Sequence, residues 1–137
     1  MAAAKSLVLK NTHSEVVVKL VADSANAASS TALPLTGFTL ATETAVAPTV
    51  NVRGYEWSCG GGGTINIYRG GTAETNLVAC LSGNGSFSSA SQFVSDPDSN
   101  ASDFTVVMSA YGTIILLLGK QSGYTSLYNS EQVGYAA

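Results

Sequence analysis

Apolar and polar positions alternate with a period of two along much of the chain, the signature of strands whose successive side chains point to opposite faces. Residues 6–10 and 15–21 carry such runs on either side of the polar stretch Asn11, Thr12, His13, Ser14, and read as a hairpin. Further runs cover residues 49–59, 64–69 and 74–81, with a candidate at 38–44. Residues 103–110 and 113–120 read as a second hairpin around Tyr111 and Gly112. Residues 22–32 hold several alanines but no apolar stripe, and read as a flexible loop or a weak helical turn. Many short strands with polar turns predict one all-β domain: an antiparallel β-sandwich, jelly-roll-like, or a small β-barrel. The domain is expected over residues 1–120, with residues 121–137 as an extended C-terminal tail.

Two strands depart from simple alternation. In residues 49–59, Val50 and Val52 share one face while Tyr55 and Trp57 share the other, and both pairs favour burial. Gly54 lies between them, and a bulge there turns both pairs to the same side. In residues 113–120, Ile114, Leu116 and Leu118 face one way and Ile115 and Leu117 the other. Val16, Val18 and Leu20 are divided from Val17 and Val21 in the same manner. An antiparallel strand with one wet face alternates cleanly, so these strands call for cover on both sides. A loop, the tail or a second subunit supplies it. The tail carries Tyr124, Tyr128 and Tyr135, and docks either on its own domain or on a neighbour, where aromatics serve as anchors.

Composition narrows this picture. The 137 residues suffice for one core. The chain is 45% hydrophobic but only 11% charged, against about 25% in ordinary domains, and few surface charges favour self-association. The net charge is −3, and the six Lys and Arg are scattered along the sequence. Nucleic-acid binding rests on clustered cations that displace phosphate counterions, so no nucleic-acid partner is expected. The longest apolar run, residues 114–118, is far below the roughly 20 residues that span a bilayer. Residues 1–11 lack the apolar stretch of a signal peptide. The expectation is no membrane partner and synthesis in a cytoplasm, with Cys59 and Cys80 reduced.

Candidate chemistry is sparse. His13 is the single histidine and sits in a polar turn, where a solvated side chain is expected and no nucleophile–base arrangement can be placed. Two cysteines and one histidine do not complete a zinc site. Asp96, Asp98 and Asp103 begin like a calcium loop, but the positions that need Gly and Glu hold Ala101 and Val107. No catalytic residue, metal or cofactor is expected, and the chain does not read as an enzyme. The glycines at 60–63 precede "TINIYR", a strand pattern, where a phosphate loop needs Lys, Ser or Thr and a helix. They are expected to turn a hairpin between residues 49–59 and 64–69. A three-strand meander on that hairpin puts Cys59 and Cys80 on either side of Gly63. That separation is roughly 9–10 Å, beyond the roughly 7 Å reach of a disulfide. Two free, buried thiols follow. Tyr55, Trp57 and Tyr68 are either core residues or a stacking surface for sugars.

Three segments, "KSLVLKNTHSEVVVKL", "VRGYEWSCGGGGTINIYRGG" and "IILLLGKQSGYTSLYNSEQVGY", occur in this order. Together the chain resembles small virion structural proteins of tailed bacteriophages, especially phages of cyanobacteria and other marine bacteria. The resemblance implies a component of the particle, most similar to head decoration (cement) proteins. Such proteins sit on the outer capsid surface, often as trimers, and stabilise contacts between major capsid protein subunits. The implied partners are the major capsid protein and other copies of the chain, and the implied location is the virion. The expected contact residues are Leu7, Val8 and Leu9 of the first strand, Val17, Ile115 and Leu117 of the two-sided strands, and Tyr124, Tyr128 and Tyr135 of the tail. Deleting residues 121–137 is then expected to leave a folded domain with lower capsid occupancy. A neck, tail or fibre component, or a carbohydrate-binding adhesin for the host surface, is the alternative.

Overall fold

The strand patterns assemble into two antiparallel sheets in a computed structural model that describes residues 5–22, 29–60, 62–88 and 100–126. The strands are β1 (Lys5–Asn11), β2 (Glu15–Ala22), β3 (Ser29–Leu33), β4 (Glu43–Cys59), β5 (Thr64–Arg69), β6 (Leu77–Ser82), β7 (Asn84–Ser88), β8 (Phe104–Met108) and β9 (Gly112–Ser126). Sheet A has the order β1-β2-β9-β4-β7 and sheet B the order β3-β8-β5-β6. Strand β2 pairs with β9, β3 with β8, β4 with β7 and β5 with β6. This is a long two-stranded ribbon folded over on itself, the jelly-roll form of a β-sandwich, with β1 added at one edge. The sheets do not close into a barrel.

The core lies between the sheets. Val16, Val18 and Leu20 of β2 and Ile114, Leu116 and Leu118 of β9 meet Ile65 and Ile67 of β5 and Val106 and Met108 of β8, all at 0–1% exposure. The alternation of each strand therefore chooses its inner face, as period-two patterning requires. The expected irregularity at Gly54 is present: the β4–β9 register shifts between Val52 and Gly54. Val50, Val52 and Tyr55 all point into the core, and Trp57 is half-buried against it.

Both expected hairpins around glycine are arches between sheets instead. Strands β8 and β9 lie in different sheets, as do β4 and β5. The reason is that both edges of β9 are taken, one by β2 and the other by β4, which leaves β8 to pair with β3 and β5. The two arches stack. Gly60 donates its N–H to the Tyr111 carbonyl at 3.0 Å. A Cβ on Gly60 would overlap the Tyr111 ring, and one on Gly63 would overlap Ala110. The glycines thus serve the close approach of two chain segments of the same molecule.

The meander is corrected with them. Cys80 lies opposite Asn66, not Gly63, because the segment Glu74–Asn76 forms a 3-10 turn and β6 is bulged against β5, with Val78 as its extra residue. Both cysteines are free, but Cys80 is exposed and Cys59 half-buried, so the expected burial of both does not hold. Burial pushes the Cys59 thiol above its ordinary value. Residues 38–44 do not form a separate strand. Leu35–Phe38 is a 3-10 turn that buries Leu35 and Phe38, three residues apart on one side, and β4 begins at Glu43. The tail boundary also moves: β9 continues to Ser126, pairing with residues 43–45 and 49 of β4. Residues 121–126 are therefore sheet, and a deletion from 121 removes part of the fold.

Candidate functional site

The outer face of sheet A is built by register. Pairing sets Lys5 beside Val21 and Thr113, then Leu7 beside Lys19, Ile115 and Glu56, then Lys10 beside Val17 and Leu117. Leu7 is 54% exposed and Val21 38% exposed. Val17, Ile115 and Leu117 are half-buried. Strand β1 forms the edge and pairs with β2 alone among the described residues. Sheet B does not reach beneath it. Val8, on the inner side, is consequently 46% exposed while its partner Val18 is 1% exposed. Leu9 sits at a register shift in the β1–β2 pair and is 49% exposed. Leu7, Val17, Ile115 and Leu117 thus share one face, with Val8 and Leu9 at its rim.

The tyrosines do not join them. Tyr124 is 6% exposed, its ring lies 4.6 Å from the Lys120 Nζ, and its hydroxyl donates to the Leu35 carbonyl. It is a core residue of its own domain, a correction to its expected docking role. Burial, with the Glu43 and Asp103 charges nearby, pushes the Tyr124 phenol up to about 12. Tyr128 and Tyr135 lie outside the described residues, as do Asp96 and Asp98.

The cations scattered in sequence converge in space. Arg69 and Lys120 are buried. The remaining four, Lys5, Lys10, Lys19 and Arg53, all lie on the outer face of sheet A with two carboxylates, Glu15 and Glu56. Glu15 pairs with Lys10 and lies 4.0 Å from Arg53. The hydrogen bond and charge of Lys10, with Arg53 behind, hold the Glu15 carboxyl below its ordinary value against the effect of burial. Lys5 and Lys19 have no acidic partner among the described residues. With Leu7 and Val21 they line a groove of about 260 Å³. Period-two spacing places Val17, Lys19 and Val21 on one face in the sequence itself. Only the hairpin register shows that Lys5 and Leu7 join them.

A second polar cluster closes one end of the sandwich. Glu43 accepts from the Leu40 N–H at 3.0 Å, from Lys120 Nζ at 2.9 Å and from His13 Nδ1. The Glu43 and Lys120 side chains are each 1% exposed. Burial alone would raise the Glu43 carboxyl. The Leu40 N–H, Lys120 and His13 together hold it below its ordinary value. His13 is therefore not simply solvated: it is half-exposed and bonded to a buried carboxylate. Both carboxylate oxygens are engaged, so this cluster ties the β1–β2 turn to the start of β4. Among the described residues, no group of three His, Cys, Asp or Glu side chains is placed to hold a metal ion.

The three aromatics considered for sugar stacking are separated. Tyr55 is core at 3% exposure, Trp57 lies against Gly85 and donates its indole N–H to the Ser82 carbonyl at 3.0 Å, and Tyr68 is on the outer side of sheet B. The architecture defines an all-β, jelly-roll sandwich with one mixed apolar and basic face. No protein-family model, curated protein or solved structure matches the chain.

Proposed function

We propose that the chain is a structural protein of a tailed-phage virion, a head decoration protein that docks on the outer capsid surface through the outer face of sheet A. The observation that carries this reading is that face: an edge strand that presents Leu7 on the outer side and Val8 and Leu9 at its rim, continuous with half-buried Val17, Ile115 and Leu117. A contiguous apolar surface rimmed by charges is the composition of a protein interface. The resemblance of the three sequence segments supplies the setting. The fold alone does not, since jelly rolls serve viral, lectin and enzyme domains alike.

The mechanism is interfacial burial. Each docked copy removes apolar area from water at roughly 25 cal/mol per Å², less the cost of ordering. Bridging two capsid subunits makes the second contact effectively intramolecular, so modest contacts add to substantial reinforcement. Capsid occupancy of the Leu7→Glu, Leu117→Glu double variant is expected to fall at least about tenfold, the equivalent of roughly 1.4 kcal/mol. Its melting temperature should stay close to that of the original protein, because both side chains face outward. Unchanged occupancy would remove this face from the docking role.

A further inference from the structure

The groove between Lys5, Leu7, Lys19 and Val21 opens beside the free edge of β1. A strand laid along that edge would complete backbone hydrogen bonds that an edge strand leaves open. Its alternate side chains would reach two different environments. Those on the outer side would meet Lys5 and, across Leu7, Lys19, the two cations that have no acidic partner among the described residues. Those on the inner side would cover Val8, exposed because sheet B stops short of β1.

We infer that β1 receives an extended acidic segment of the partner protein, added as a sixth strand of sheet A, with carboxylates on the outer side and apolar residues on the inner side. Among the described residues the outer face holds four cations and two carboxylates, whereas the whole chain carries −3. The face is thus basic on an acidic molecule, and it selects an acidic partner over a second copy's identical face. Nucleic acid is the less favoured anion. Two of the four cations are already engaged by Glu15, and the others alternate with Leu7 and Val21, which a phosphate backbone does not use.

This inference rests on the docking reading but is tested apart from it. The probe is a capped peptide alternating Glu and Val over eight residues, titrated into the full chain while amide resonances are followed. Saturable shifts are expected in residues 5–11, 19 and 21. The Lys5→Glu, Lys19→Glu variant should weaken binding about tenfold or more, with Lys5→Gln, Lys19→Gln intermediate and both variants melting as the original does. A Lys–Val peptide should not bind. Absent shifts, shifts centred on another edge, equal binding of the two peptides, or the same shifts produced by a DNA duplex would each overturn the inference. Peptide binding at β1 by a protein that fails to bind capsids would uphold this inference and remove the capsid reading. Capsid binding unaffected by the two lysine reversals would do the opposite.

Discussion

Replacing Arg69 with alanine is expected to lower the stability of the fold by about 3–5 kcal/mol, since each of three carbonyls that loses its donor costs about 1–3 kcal/mol. Arg69 is fully buried at the end of β5. Its Nη1 donates to the Val50 carbonyl in sheet A at 2.7 Å. Its Nη2 donates to the Asn100 carbonyl at 2.8 Å and, with Nε, to the Ser102 carbonyl, at 2.9 and 3.1 Å respectively. The guanidinium lies 4.1 Å from the centre of the Phe104 ring. One side chain thus joins both sheets and the loop before β8. Alanine leaves a cavity and several carbonyls without their donor, and each loss is costly in an interior. Lysine cannot restore the fork, because an ammonium is a single point with no planar pair of donors. Denaturant unfolding measures the effect. A loss below about 1 kcal/mol, the size of one ordinary hydrogen bond, would show that the carbonyls find other partners.

Glu43→Ala is the second large effect, expected to cost about 3 kcal/mol because it leaves the Lys120 ammonium buried without its counter-ion. Replacing both, as Glu43→Leu with Lys120→Met, should recover most of that loss, since a packed apolar pair can substitute for a buried ion pair. The pH dependence follows from the same geometry. The folded carboxyl titrates below its ordinary value of 4.5. The stability it contributes is present above that value and is lost as pH falls through the lower folded pKa. Between these limits the original protein should lose stability more steeply than the double variant. Parallel pH profiles for the two would contradict the assigned role of Glu43.

Local patterning made the elements legible and left their pairing open. The alternation of β2, β5, β8 and β9 gave their inner faces, and the conflict between Val50, Val52 and Tyr55 located the bulge at Gly54. Yet a short glycine turn suits a hairpin and an arch equally well. Only the global partners of β4 and β9 decide between them, and those partners lie far apart in the chain. Residues 121–126 were hidden for another reason. Gln121, Ser122, Gly123, Thr125 and Ser126 carry no apolar alternation, and the segment is held through backbone pairing and buried Tyr124. Gly123 also answers a local need, with φ of +85° facing Pro48 at an irregularity of β4.

The candidate site divides in the same way. The second apolar faces of β2 and β9 were visible in sequence because Val17, Ile115 and Leu117 break clean alternation. The basic character of the face was not, because Lys5, Lys10, Lys19 and Arg53 come from three strands. His13 and Arg69 were opaque as well: each makes its bonds to residues distant in sequence, and nothing beside them signals it.

Docking through the outer face of sheet A is tested by electron cryomicroscopy of intact particles carrying the protein. Density is expected on the outer capsid surface, repeated about the capsid's symmetry axes, with β1 and the outer face of sheet A against the major capsid protein. Density confined to the neck, tail or fibres, or a copy seated through sheet B with sheet A facing solvent, would contradict it.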